Sequence, residues 1–207
     1  LQRKARTPCA GARRSGHRGL EEAYLATAQK KARREGRLIV FIDEAGFSQR
    51  PTRVRTWAVK GESPVVQYCF NWDHISAIAG LHRTGFCFRL YDGSVNGERA
   101  VEFLKALKGH LRRPLLILWD GAKPHRSRLV RDYVDSTEGQ IVIERLPAYA
   151  PELNPVEYLW AWVKRHALAN YCPDTLDELH HGARAKLRSA QRRSSIVAAC
   201  WTQAKLF

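Results

Sequence analysis

Three carboxylates stand where rigid elements can hold them. Leu38-Ile39-Val40-Phe41-Ile42 runs into Asp43, and Leu115-Leu116-Ile117-Leu118-Trp119 runs into Asp120. Glu157 lies in Leu153-Asn154-Pro155-Val156-Glu157-Tyr158-Leu159-Trp160. Carboxylate oxygens suit hard divalent cations, and a pair of such cations supports phosphoryl transfer on a nucleic-acid backbone. Each acid also has a structural alternative. An Asp that closes a strand is a common turn former, and Asp120-Gly121 is a turn dipeptide. Glu157 falls third in a helix that Asn154 would cap and Pro155 would start, where a carboxylate closes a capping box and meets the helix dipole.

The surrounding chain has the charge such chemistry needs. Its 207 residues are 44% hydrophobic and carry a net charge of +15, which suits one domain with extensions around one core. Residues 1–37 hold 11 Lys/Arg against 3 Asp/Glu, and residues 182–207 hold 6 against none. The remaining 18 basic and 17 acidic residues fall in 38–181, so a nearly neutral body carries two basic flanks. Such flanks are either solvated, disordered segments or phosphate-binding surfaces. No apolar stretch approaches the roughly 20 residues of a membrane span and no secretory leader is seen, so a cytoplasmic protein without a membrane partner is expected. Cys9, Cys69, Cys87, Cys172 and Cys200 are scattered, which excludes a zinc-ribbon spacing and reads as reduced thiols. Methionine is absent and residue 1 is Leu, as expected of a non-standard start or a piece of a longer chain.

Breakers and periodicity set out the elements that must position the acids. Residues 20–35 are helix-permissive, and strand 38–43 follows. Residues 44–72 form a long excursion in which Val65–Tyr68 can add a short strand. Residues 74–81 and 86–91 read as a hairpin around His82-Arg83-Thr84-Gly85. A helix from Asn96 uses Val101, Leu104 and Leu107, then come strand 115–119, helix 126–136 and strand 141–143. Loop 146–154 leads into helix 155–169, which buries Val156, Leu159, Trp160, Val163 and Ala167. A final helix spans 175–192. Three strands, then helix–strand–helix–strand, then helices is the order of a ribonuclease-H-like α/β fold, a mixed five-stranded sheet flanked by helices. In it strands 38–43 and 115–119 are central parallel neighbours, which brings Asp43 and Asp120 within reach of one cation.

The words around the acids carry a resemblance. Phe41-Ile42-Asp43-Glu44-Ala45-Gly46-Phe47, Trp119-Asp120-Gly121-Ala122-Lys123-Pro124-His125-Arg126-Ser127 and Ala150-Pro151-Glu152-Leu153-Asn154-Pro155-Val156-Glu157-Tyr158-Leu159-Trp160 occur in that order. With Thr56-Trp57-Ala58-Val59-Lys60-Gly61, and with 36 residues between the second and third acids, they resemble the catalytic domain of bacterial insertion-sequence transposases of the mariner-like DDE superfamily. The resemblance covers about residues 36–190. It implies that Asp43, Asp120 and Glu157 hold two Mg²⁺ or Mn²⁺ ions and catalyse cleavage of double-stranded DNA at element ends, then strand transfer into target DNA. Such chemistry pairs two subunits, so a homodimer on DNA in the bacterial nucleoid is expected. Glu44 and Glu152 do not match the family's acid positions, and Glu44 should point away from Asp43 because strand side chains alternate.

Lesser candidates accompany the triad. His125, Arg126, Lys164 and Arg165 are candidate phosphate contacts, against local backbone or solvated-surface readings. His180-His181 diverge as helical neighbours, and Trp160 and Trp162 read as packing residues. The expected division is a basic extension over 1–37 (a possible remnant of a DNA-binding region), the catalytic domain over 38–190 and a tail over 191–207. Transposases of this kind carry an N-terminal helix-turn-helix region, whereas only 37 residues precede the first strand here. A catalytically idle DNA-binding remnant is therefore the alternative to an active enzyme.

Overall fold

The computed structural model describes residues 11–68, 73–122, 124–147 and 151–206. Cys9 and the basic residues before Gly11, Cys69, and the motif residues Lys123 and Ala150 lie outside the described residues. The chain divides into two compact units, Leu1–Gly36 and Arg37–Phe207. The first holds α1 (Gly11–Arg34), which begins nine residues before the expected helix. Lys31, Arg33 and Arg34 occupy its last turn, where cations favour the helix dipole. Gly36 then takes φ +64°, the left-handed conformation that ends helices.

The second unit carries a five-stranded sheet. Its strands are β1 (Leu38–Ser48), β2 (His74–His82), β3 (Gly85–Asp92), β4 (Leu115–Trp119) and β5 (Ile141–Arg145). They lie in the order β3-β2-β1-β4-β5, antiparallel from β3 to β1 and parallel from β1 to β5. This is the mixed, ribonuclease-H-like sheet that the element order implied. All five positions of β4 are buried, as a parallel strand covered on both faces requires.

Helices cover the two faces. On one, α2 (Gly97–Leu111) and α3 (Arg128–Asp135) enclose a core of Val40, Ile42, Ile78, Phe103, Leu104, Leu107, Ile117 and Trp119. Asn96 starts α2 by accepting from the Arg99 amide at 2.9 Å. On the other lie α4 (Pro155–Trp162), α5 (Leu176–Gln191) and α6 (Ser194–Gln203). Phe41 of β1 meets Trp201 of α6 edge-to-face at 5.5 Å. Among the described residues, no helix is long and apolar enough to cross a membrane.

Several boundaries differ from the sequence expectation. β1 continues past Asp43 to Ser48, so Asp43 is a mid-strand residue rather than a turn former. Val65–Tyr68 form no strand, and the excursion's described part makes one isolated bridge, Thr52 to Ala169. The expected helix 126–136 is broken, because Ser127 accepts from the Val130 amide and so caps α3 after a 3₁₀ turn at Pro124–Arg126. Helix 155–169 is α-helical only to Trp162 and then makes a π-helical turn, Val163–Ala167. The segment expected as a tail forms α6, with Ile196, Val197, Cys200 and Trp201 buried. Cys87, Cys172 and Cys200 are free thiols.

One close approach fixes α2 on the sheet. A methyl group added at Gly80 of β2 would stand 3.1 Å from Val40 and 3.4 Å from both Phe103 and Leu107. Gly80→Ala is therefore expected to lower stability by about 1–3 kcal/mol through overpacking. Urea denaturation would measure it, and an unchanged midpoint would show that α2 can give way.

Candidate active site

Asp43 is brought to the face of β1 covered by α4, where it is only 8% exposed. Two bonds place α4 against it. Asn154 caps the helix by accepting from the Val156 amide (3.2 Å), and its side-chain amide donates to the Ile42 carbonyl (3.3 Å), one residue before Asp43. The start of α4 is thereby tied to β1. Residues 157 and 160, one turn apart, then share a helical face. The Trp160 indole N–H donates to Asp43 Oδ2 at 3.0 Å.

Glu157 does not close a capping box. Its backbone N–H donates to the Asn154 carbonyl (3.1 Å), but its exposed carboxylate makes no hydrogen bond or ion pair among the described residues. The charge is felt by Asp43 instead. Burial pushes the Asp43 carboxyl up to about pKa 8, and the negative charges of Glu157, Glu44 and Asp120 add to the rise. Asp43 thus holds a proton at neutral pH unless positive charge arrives.

Positive charge stands nearby, on the sheet's other face. Glu44 diverges from Asp43, as strand alternation requires, and reaches His125 Nε2 at 3.0 Å. His125 Nδ1 lies 2.5 Å from Asp120 Oδ1, and its ring stacks on Trp119 at 3.9 Å. Burial alone would favour neutral imidazole, yet bonds to Asp120 and Glu44 outweigh it and raise its pKa to about 9. The same bond from His125 lowers the pKa of Asp120. Asp120 also accepts from the Ala122 amide at 3.1 Å, so it serves as a turn former as well. His125 is turned inward onto two carboxylates, with Nδ1 also 3.4 Å from the Asp120 carbonyl, which is nearer the local-backbone reading than the phosphate contact that the sequence also offered.

Arg126 and Arg165 are exposed beside the acid-bearing elements. Lys164 lies over the Phe47 ring, 5.6 Å from its centroid, and Phe47 meets Trp160 edge-to-face at 6.1 Å. His181 Nδ1 lies 2.9 Å from the Asp177 carbonyl and 3.3 Å from the Asp177 carboxylate, both within α5. Sequence reasoning missed Trp160 as a partner of Asp43 and His125 as the link between Glu44 and Asp120. The first had a signal, since Trp160 follows Glu157 by three residues and shares its helical face.

The donor set has the hard-oxygen chemistry of a divalent-cation site. Among the described residues, however, no three His, Cys, Asp or Glu side chains converge closely enough to hold a metal ion as they stand. Asp120 is instead drawn toward His125.

Residues 38–180 match the family model of the DDE superfamily endonucleases. No curated protein sequence matches the chain. Among solved structures, it is similar to the mariner Mos1 paired end complex with Mg, at TM-score 0.65 and 19% identity, over 99% of this chain and 65% of that one. It is also similar to a pre-cleavage Mos1 transpososome (0.59, 20%, 100% and 68%) and to the catalytic domain of Mos1 mariner transposase (0.54, 17%, 99% and 99%). At such identities the likeness is one of fold, and the chain spans 65% of the length of the first of these relatives.

The two raised pKa values give one signed prediction. Asp43 (3.8 to about 8) and His125 (6.5 to about 9) bind protons more tightly folded than unfolded. Their contribution is full below the unfolded values and is lost as pH rises through the folded ones. In EDTA, Tm is therefore expected to fall between pH 5 and 9. Asp43→Asn should flatten the fall, whereas Trp160→Phe, which removes a hydrogen bond favouring the ionised carboxylate, should extend it to higher pH. A Tm independent of pH over this range would contradict the assigned protonation.

Proposed function

The chain belongs to the DDE superfamily of endonucleases, and from that premise we propose that it is the catalytic part of a transposase, cutting double-stranded DNA at the ends of a mobile element and joining those ends to target DNA. The observation that carries this reading is the buried Asp43 carboxyl, held by Trp160 and facing the charges of Glu157 and Asp120. A buried acid that faces the charges of two more exposed ones is an arrangement that folding alone would avoid, and bound cations relieve it. Asp43, Asp120 and Glu157 would hold two divalent ions, Mg²⁺ or Mn²⁺, which supply activation of a water or 3′-hydroxyl nucleophile and stabilisation of the leaving oxygen. The solved relatives carrying Mg and Mn in their names favour the same ions.

The chain's own residues prepare that chemistry. Asp43 must give up its proton to become a ligand. His125 holds Asp120 and Glu44 until Asp120 is drawn back to the acid face. Trp160 keeps one oxygen of Asp43 in place, and Arg126 and Arg165 are free to meet DNA phosphates. Loss of plasmid nicking by roughly a thousandfold or more is expected for each of Asp43→Asn, Asp120→Asn and Glu157→Gln, given the rate terms that ion-based catalysis supplies. Supercoiled plasmid with Mg²⁺ or Mn²⁺ reads this directly. Salt-sensitive DNA binding without cleavage by the parent protein would favour the idle remnant instead.

The partner is proposed to include a second copy. Val54, Trp57, Val59 and Val65 are all exposed on the segment after β1, Trp57 at 99%. So many large apolar side chains on one segment call for a covering surface. Trp57→Ala is expected to weaken self-association on DNA at least tenfold, read by analytical ultracentrifugation. An unchanged stoichiometry would remove this segment from the interface.

A further inference from the structure

A groove of about 460 Å³ runs along the outer edge of the sheet, beside β3. It is lined by Phe88 and Arg89 of β3, Glu102 of α2, and Arg184, Arg188 and Gln191 of α5, among others. Arg89 is paired with Glu102. Arg184 and Arg188 lie one helical turn apart and are exposed, and neither makes a hydrogen bond or ion pair among the described residues. Ala183 and Leu187 are buried on the adjoining face of α5, so the two guanidinium groups are presented by an anchored helix. The groove thus holds three arginines against one glutamate.

Its edge is closed to an added β-strand. Gln191 donates to the Phe86 carbonyl and Arg99 to the Asp92 carbonyl, both at 2.7 Å. Those two carbonyls point outward, and backbone alternation leaves only Phe88 and Leu90 between them with outward groups. Side chains thus already engage both ends of the row that an extended peptide would pair with. Charge, not strand addition, must select the occupant.

Register places the groove near the acids. Asp43 lies opposite Ala79, and Ala79 opposite Phe88. Residues directly opposite share a face, so Phe88 faces the acid side, two strand spacings or about 10 Å from Asp43 in the sheet plane. A DNA strand advances roughly 3.4 Å per nucleotide, so this offset corresponds to about three nucleotides.

We propose that this edge groove grips the sugar–phosphate backbone of the DNA on which the acids act, with Arg184 and Arg188 each taking a phosphate. The assignment rests on the reading of the chain as a DNA-cutting enzyme. Guanidinium forks match phosphate oxygens bidentately, and neutralising phosphates gives sequence-independent, salt-sensitive affinity.

The test is fluorescence anisotropy of the full chain with a short labelled duplex, in EDTA, over a salt series. Arg184→Ala/Arg188→Ala should bind roughly tenfold or more weakly at low salt, with the slope of log K against log salt reduced by about 2. Lys186→Ala, elsewhere on α5, should leave the slope unchanged, and Glu102→Gln should tighten binding. Equal Tm values for parent and variants would show that the fold is kept. Parent-like affinity and slope in the double variant would overturn the groove assignment while leaving the DNA-cutting reading intact. So would binding of polyglutamate that the double variant loses while its DNA binding is unaltered, which would mark an acidic protein segment as the occupant. A parent protein that neither binds nor nicks DNA would overturn both.

Discussion

A carboxylate buried among other carboxylates is the constraint around which this chain is arranged. Asp43 can be buried only because β1 runs through it into Ser48 and because β2 and β4 flank the strand on either side. The cost of holding charge there is met in part by a proton and in part by the Trp160 indole. Asn154 makes the arrangement reproducible, since one side chain both starts α4 and binds the β1 backbone beside Asp43. Removing that bond would free the helix that carries Glu157 and Trp160 together.

The opposite face answers with a cation. His125 is sandwiched between Trp119 and two carboxylates, so its imidazolium is both packed and paired. Asp120 thus bonds to the histidine of one face and adds its charge to that felt by Asp43 on the other. Its backbone position, one residue past a fully buried strand, leaves the side chain half-exposed and able to turn. A protein-borne positive charge thus pairs with Asp120, and the same carboxylate adds its negative charge to that felt by Asp43.

Much of this was legible in the sequence, and the failures have physical causes. The apolar runs before Asp43 and Asp120 gave two buried neighbouring strands, and Asn154-Pro155 gave the start of α4, because short-range rules decide both. The end of β1 was not legible, since Glu44-Ala45-Gly46-Phe47-Ser48 has the polar and small residues of a turn and is held in the sheet by pairing with β2. Ile196, Val197, Cys200 and Trp201 lie in a span too short to stand out, and α6 is stabilised by long-range burial against the sheet. His125 could not be paired with Glu44 from sequence, because 81 positions separate them and only the register of β1 with β4 brings them together.

The most instructive difference is the change of helix type after Trp162. At 3.6 residues per turn, the pattern Val156, Leu159, Trp160, Val163 places Ala167 inward next and turns Leu168 toward solvent. The structure buries Leu168 and leaves Ala167 half-exposed. A bond from the Leu168 amide to the Val163 carbonyl, at 2.8 Å, closes a turn of five residues instead of four. Burying leucine rather than alanine gains about 2 kcal/mol at roughly 0.8 kcal/mol per CH₂, enough to offset one poorly shaped helical turn. Lys164, in that wider turn, lies over Phe47, whose ring abuts Trp160, whose indole holds Asp43. The helix that buries Leu168 at its end thus also carries both ends of one continuous line of contacts, from the indole at the buried acid to a cation over Phe47.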